Sequence, residues 1–128
     1  MKDDTPCPCG SGRPLAACCG PLLAGTAPAP DAEALMRSRY TAYVLGDEAY
    51  LLATWHPDSR PARLGLDQDE PVKWLGLAVK RHQDHGNGTA LVEFVARYKT
   101  GGRAHRLHET SRFARVDGRW LYLDGNCA

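Results

Sequence analysis

The fold is decided by residues 88–116, which read G-T-A-L-V-E-F-V-A-R-Y-K-T-G-G-R-A-H-R-L-H-E-T-S-R-F-A-R-V. Before the glycine pair, small or apolar side chains occupy every second position: Ala90, Val92, Phe94, Ala96 and Tyr98. A period of two places such side chains on one face of a β-strand. The pair Gly101-Gly102 favours a tight turn. We therefore predict two antiparallel strands, at residues 88–100 and 103–116.

The segments on either side extend the same sheet. Residues 72–83 are rich in Val, Leu and Trp, and residues 84–88, D-H-G-N-G, have the composition of a hairpin turn. Asp117-Gly118 is another turn, and residues 119–124 follow it as a last strand. Three consecutive hairpins predict an antiparallel meander of about four strands.

Two short helices are predicted ahead of the sheet. Asp31 is a good N-cap, and Gly46 can end the first helix in a left-handed conformation. Asp47 can cap a second helix, which Pro57 ends because the residue before a proline avoids the α conformation. We interpret residues 58–71 as a loop. The result is an α+β fold in which N-terminal helices cover one face of the sheet.

The most specific motif is C-P-C-G-S-G-R-P-L-A-A-C-C-G, residues 7–20. Four thiolates so close in sequence suit one tetrahedral zinc ion, Zn²⁺, and a closed set of four ligands makes that metal structural. Disulfides and a redox dithiol are the alternatives, although adjacent cysteines would form a strained bond and the usual C-x-x-C is missing. The predicted metal ligands are Cys7, Cys9, Cys18 and Cys19.

The chain divides by composition into three parts. Residues 1–25 hold the cysteine motif as a small zinc knuckle, and residues 26–30 read as a proline-containing linker. Residues 31–128 form the main α+β domain, with Cys127 as an exposed thiol near its end. We expect few contacts across the linker, so that metal removal would unfold only the N-terminal segment.

Composition bounds the classes of partner. The formal net charge is +1, which gives no strong nucleic-acid signal, since affinity for nucleic acid comes from clustered positive charge. The first residues, M-K-D-D-T, lack the apolar stretch of a signal peptide, and the apolar runs are too short to span a membrane. We expect a cytoplasmic protein, where reduced thiols suit a zinc site.

The cysteine motif resembles the SEC-C motif, named for the C-terminal tail of the SecA translocation ATPase. The pattern C-x-C-x8-C-C is matched by residues 7–19. The resemblance implies zinc, and a setting in translation, chaperone action or protein export, because SecA tails engage the SecB chaperone and the membrane or ribosome. SecA tails are lysine-rich between the cysteine pairs, whereas Arg13 is the one charge here. We therefore expect a protein partner to dock on apolar residues, namely Leu15, Pro21, Leu22 and Leu23.

The rest of the chain resembles the YchJ family of bacterial proteins. The segments that carry this resemblance are L-G-D-E-A-Y-L-L-A-T-W-H-P, R-Y-K-T-G-G-R-A-H-R-L-H-E-T-S-R-F and G-R-W-L-Y-L-D-G. The family joins a SEC-C motif to the curved, cone-shaped fold of nuclear transport factor two. Cones of this type often enclose a pocket between helices and sheet, and often form homodimers through the open sheet face.

Strand alternation places one acid where such a pocket would lie. If Leu107 and Phe113 face the interior, Glu109 and Ser111 do so too. Glu109 would then either serve a ligand pocket or form a structural ion pair. His56, in the segment W-H-P, would either cap the end of the second helix or act as a base at the rim of the pocket. The predicted pocket residues are Glu109, Ser111, His56, Trp55, Trp74 and Tyr98.

Two classes of function follow. The first is a zinc-binding, non-enzymatic adaptor or accessory protein that docks a protein partner through its knuckle. The alternative is an enzyme or small-ligand-binding protein that uses the cone pocket. The sequence lacks a phosphate-binding loop, a nucleophile elbow and a convincing acid–base–nucleophile set, which favours the first class.

Overall fold

The strands of the protein form one antiparallel sheet in the order β1–β2–β3–β4. The structure is a computed structural model that describes residues 5–62, 64 and 72–127. The strands are β1 Lys73–Asp84, β2 Thr89–Thr100, β3 Arg103–Val116 and β4 Arg119–Cys127. Most of the predicted loop at residues 58–71, and the side chain of Cys127, lie outside the described residues. The predicted meander is confirmed.

Pairing between β2 and β3 runs unbroken from Thr89 opposite Ala114 to Thr100 opposite Arg103. The outer strands are irregular: β1 has register shifts at residues 74–76 and 79–81, and β4 pairs with β3 across a shift at residues 112–113. Such bulges bend a strand and increase its twist. The sheet can therefore curve around the helices.

The two predicted helices precede the sheet, and two further short helices lie ahead of them in the N-terminal segment. They are a 3₁₀ helix at Leu15–Ala17, α1 at Cys19–Leu23, α2 at Ala32–Leu45 and α3 at Glu48–Ala53. The side chain of Asp31 accepts a hydrogen bond from the amide of Ala34 at 2.8 Å and caps α2. Gly46 ends α2 with a φ of 75°, which a side chain would disfavour.

The prediction for the second helix is wrong at its C-terminal end, because α3 stops at Ala53 rather than at Pro57. The Thr54 hydroxyl donates to the carbonyl of Tyr50 at 2.8 Å, and the chain then pairs with β4. The amide of Tyr122 donates to the carbonyl of Thr54, and the amide of His56 donates to the carbonyl of Tyr122. These long-range bonds replace the next helical turn.

The core lies between α2 and the inner face of the sheet. Its buried members from these elements include Leu35, Met36, Tyr40, Val92, Phe94, Phe113 and Trp120. Three cysteines of the N-terminal motif belong to the same buried cluster: Cys7, Cys9 and Cys19. The N-terminal motif is thus part of the core.

Candidate metal centre and cone cavity

The N-terminal loop turns back on itself and brings its cysteines to one point. The amide of Cys7 donates to the carbonyl of Arg13 at 3.0 Å, which closes the loop. Gly10 and Gly12 have φ values of 78° and 85°, in the left-handed region that glycine adopts most easily. A Cβ on Gly10 would also lie 3.3 Å from the carbonyl oxygen of Leu77 in β1. The glycines therefore permit both the turn and its approach to the sheet.

The four sulfur atoms of Cys7, Cys9, Cys18 and Cys19 all lie within 4.8 Å of one another. Sγ of Cys18 is 3.6 Å from that of Cys9 and 4.0 Å from that of Cys19. Sulfurs around a tetrahedral zinc ion, with Zn–S bonds of about 2.3 Å, would be about 3.8 Å apart. All four residues are free cysteines. The cluster therefore fits a four-sulfur site and could hold a metal ion.

Hydrogen bonds within the cluster already favour one thiolate. The contact with Cys19 lowers the pKa of Cys9 to about 4, and the same contact raises the pKa of Cys19. Burial raises the pKa of Cys7. The hydroxyl of Ser11 lies 3.1 Å from Sγ of Cys18. A metal cation that binds here would displace the remaining thiol protons. Its positive charge would then stabilise the thiolates in place of those protons.

The cluster also contacts α2 directly, contrary to the expectation of few contacts across the linker. Arg37 donates from Nη1 to the carbonyl of Cys9 at 2.9 Å, and Sγ of Cys7 lies 3.7 Å from the hydroxyl of Thr41. Leu15 and Leu23, two of the residues expected to dock a partner, are half-buried and pack against the core. The physical reason is that apolar side chains of so short a loop are better buried on the cone than left in water.

A cavity of about 260 Å³ opens between α2, the inner face of the sheet and the chain that follows α3. Its walls are mainly aromatic and aliphatic, with two charged side chains, Arg39 and Glu109, among them. The lining consists of Met36, Arg39, Tyr40, Tyr43, Trp55, Trp74, Phe94, Ala96, Leu107, Glu109, Ser111 and Tyr122.

Arg39 is the buried cation of this cavity, with 4% of its surface exposed. Its Nη1 donates to the carbonyl of Leu51 at 2.8 Å and to the hydroxyl of Thr54 at 2.7 Å. Its Cζ lies 5.0 Å from the ring centre of Trp55 and 4.5 Å from that of Tyr122, within range of cation–π attraction. Burial lowers the pKa of Arg39, but a guanidinium remains charged.

Glu109 is the carboxylate of the cavity. The hydroxyl of Ser111 donates to its Oε2 at 2.6 Å, and the hydroxyl of Tyr122 donates to the same oxygen at 3.3 Å. Burial, and then the charge of Glu109, raise the pKa of Tyr122, so that this phenol stays protonated as a donor. Tyr122 thus touches both charged groups, Arg39 over its ring and Glu109 at its hydroxyl.

Comparison with known proteins covers both parts of the chain. A profile described as "YchJ, middle NTF2-like domain" matches residues 31–125, and a profile of the SEC-C motif matches residues 5–21. The chain belongs to the YchJ family. The predicted family, the α+β cone and the SEC-C motif are thereby confirmed.

Relatives of this YchJ-family protein match over nearly its whole length. A UPF0225 protein of Chromobacterium violaceum is 61% identical over 123 residues, which cover 93% of this chain and 90% of the relative. A solution structure of a SEC-C motif containing protein from Rhodopseudomonas palustris has a TM-score of 0.85 and 40% identity, and the match covers 95% of this chain and 98% of that one. A crystal structure from Psychrobacter arcticus, also of a SEC-C motif containing protein, has a TM-score of 0.76 and 27% identity over 97% and 83%.

The structure brings four of the six predicted pocket residues to the wall of the cavity: Trp55, Trp74, Glu109 and Ser111. Tyr98 lies next to that wall, with its ring centre 5.4 Å from that of Trp74, and it stacks on His105. His56 lies outside the lining, where its Nδ1 accepts from the amide of Asp58 at 3.1 Å. A role for His56 as a base at the rim of the cavity stays a prediction.

Arg39 and Tyr122 are among the cavity residues of this YchJ-family protein that the sequence did not predict. The available signal for Arg39 was its position within the apolar stripe of α2, beside Tyr40 and Tyr43. A charged residue at a buried helical position needs a partner or a function. Tyr122 gave no comparable signal, because an aromatic residue in a strand is ordinary core.

Within the described part of the chain, the cysteine group is the only close cluster of potential metal ligands. Two histidines of the sheet pair with glutamates instead: His108 with Glu93 at 2.6 Å, and His82 with Glu33 at 3.7 Å. Of the helices described, none has the length and apolar character needed to cross a membrane.

Proposed function

We propose that this protein is a non-enzymatic, zinc-binding accessory protein of the cytoplasm. The observation that supports this most strongly is the closed set of four sulfur atoms at tetrahedral spacing. Soft thiolates select zinc over hard cations, and four protein ligands leave no position for a reacting water. Native mass spectrometry should find one zinc per chain, and Cys18→Ser should lose it. Purified protein without metal, or with iron in its place, would count against zinc.

In this proposal the zinc fixes the N-terminal segment on the cone and so completes a surface for a protein partner. Residues 22–29 face α3 and β4 across a groove of about 630 Å³. Leu22 lines one side of this groove, and Ala53 and Trp120 line the other. An apolar segment of a partner protein would bury Leu22 and Ala53, whereas Trp120 is already buried. Both sides are needed to form the groove. The metal would therefore contribute to partner binding, because it holds one of the two sides in place.

The docking experiment compares two leucine-to-aspartate variants. Leu22→Asp places a charge in the groove, whereas Leu45→Asp places one at the end of α2, where Leu45 is already 56% exposed. A partner identified from lysate and purified should lose affinity for Leu22→Asp and keep it for Leu45→Asp. Apolar docking should also change little between low and high salt. Binding that survives Leu22→Asp, or that falls steeply with salt, would contradict the docking proposal.

A second candidate function is small-ligand binding in the cone cavity. The observation that favours it is that Arg39 and Glu109, two charged side chains, line one cavity with aromatic walls. Benzene, as a probe of the cavity itself, should shift the indole N–H resonances of Trp55 and Trp74. Trp120 lines the groove instead and serves as the internal control. No shift at Trp55 or Trp74 would count against ligand binding in this cavity.

A further inference from the structure

We propose that the cavity takes a neutral, planar heteroaromatic molecule with a hydrogen-bond acceptor for Arg39 and an N–H donor for Glu109, as in a lactam ring. This proposal rests on the second function above, that the cavity is a ligand site. It adds the chemical class of the ligand, and it derives that class from the polar groups on the cavity wall.

The hydrogen-bond acceptor of the ligand is inferred from Arg39. A guanidinium has five N–H donors. Nη1 makes the two hydrogen bonds of Arg39 described above, whereas Nε and Nη2 have none to any described residue. Nearby, Nε1 of Trp55 is buried and, in the described part of the chain, has no hydrogen-bond partner. The buried Trp55 donor costs stability while it lacks an acceptor, so an acceptor that enters the cavity at this side, within reach of Arg39 as well, would be stabilised.

The hydrogen-bond donor of the ligand is inferred from Glu109. An ionised carboxylate can only accept hydrogen bonds. The hydroxyls of Ser111 and Tyr122 already donate to Oε2, which keeps the carboxylate in place. A ligand that meets this carboxylate must therefore present an N–H or O–H group. A carboxylate-bearing ligand would be repelled on this side.

The walls select a flat and neutral ligand. Tyr40, Tyr43, Trp55 and Trp74 supply four aromatic rings around the space. Aromatic side chains gain most from contact with another ring. The charges of Arg39 and Glu109 cancel, so a neutral ligand adds no buried net charge, whereas an anion or a cation would. A volume of about 260 Å³ suits one small ring system.

The experiment is an NMR titration of the full-length protein with matched ring probes. The probes are 2-pyridone (donor and acceptor), benzene (neither), benzoate (anionic acceptor) and benzamidine (cationic donor). Binding is followed at the indole N–H resonances of Trp55 and Trp74, with Trp120 as the control. We expect 2-pyridone to bind at least tenfold more tightly than each of the other probes.

Two variants then test the assigned contacts. Glu109→Gln keeps the shape of the side chain and should weaken 2-pyridone about tenfold while leaving benzene unchanged. Ser111→Ala keeps the carboxylate and should weaken 2-pyridone much less. Arg39→Lys should weaken 2-pyridone and benzoate alike. If Arg39→Lys does not fold, Glu109→Gln and Ser111→Ala still decide the assignment.

The outcomes separate this inference from the function on which it rests. If benzene and 2-pyridone bind equally well, the cavity is still a ligand site, but the proposed hydrogen bonds of the ligand to Arg39 and Glu109 are wrong. Tighter binding of benzoate or of benzamidine than of 2-pyridone would overturn the neutral class. If no probe shifts either indole, both the inference and the ligand-binding function fail.

Discussion

Loss of the metal should destabilise the cone as well as the N-terminal loop. The perturbation is Cys9→Ser, at a fully buried residue whose sulfur lies 3.6 Å from that of Cys18. Without zinc the loop keeps only its hydrogen bonds and apolar contacts, and the glycines at positions 10 and 12 increase the conformational entropy that its ordering costs. The loop should then leave the surface of α2.

The magnitude follows from what the loop covers. Leu35 of α2 is 2% exposed and lies in the same cluster as the cysteines, and Leu15 and Leu23 pack against that cluster. Full burial of one leucine is worth about 2 kcal/mol, and partial burial about half as much. Loss of the loop should therefore lower the free energy of unfolding of the cone by about 4 kcal/mol. For a domain of this size, that corresponds to a fall in Tm of about 15 °C.

The assay is thermal unfolding followed by far-ultraviolet circular dichroism, which reports on the sheet. Zinc-loaded wild-type protein should melt well above both the chelated wild type and Cys9→Ser. Returning zinc should restore the wild type but not Cys9→Ser, which controls for effects of the chelator. Equal melting temperatures for all three samples would refute the reasoning, because the cone would then be independent of the metal.

Three further predictions concern single contacts. Asp31→Ala removes the cap on the amide of Ala34 and should cost about 1 kcal/mol in denaturant unfolding. Tyr122→Phe removes one donor to the Glu109 carboxylate and should also cost about 1 kcal/mol by the same measurement. Arg112→Ala should leave the melting temperature unchanged, because the side chains of its ion pair with Asp124 are 57% and 52% exposed. The hydrogen bond from Arg112 lowers the pKa of Asp124, so an NMR titration of Arg112→Ala should show that pKa raised toward its ordinary value.

The sheet and α2 could be predicted because their signals are local. Strand alternation in residues 88–116 and the glycines of each turn determine the hairpins without reference to the rest of the chain. Asp31 and Gly46 bound α2 by the hydrogen-bonding and conformational needs of its two ends. The same alternation put Glu109 and Ser111 on the inner face, where both line the cavity.

Features that depend on distant partners could not be predicted. The end of α3 is determined by pairing of the following residues with Tyr122, almost seventy positions later in the chain. The approach of Gly10 to Leu77 joins parts of the chain that the sequence gives no reason to connect. Arg39 acquires its place in the cavity from Trp55 and Tyr122, which come from two other elements.

The central claim is that one zinc ion on four cysteine sulfurs ties the N-terminal segment to the cone. X-ray absorption spectroscopy at the zinc edge, on full-length protein purified without added metal, tests it most directly. The account predicts four sulfur neighbours at about 2.3 Å in the wild type, and no bound zinc in Cys7→Ser. A first shell that contains nitrogen or oxygen in the wild type, or protein that carries no zinc at all, would contradict it.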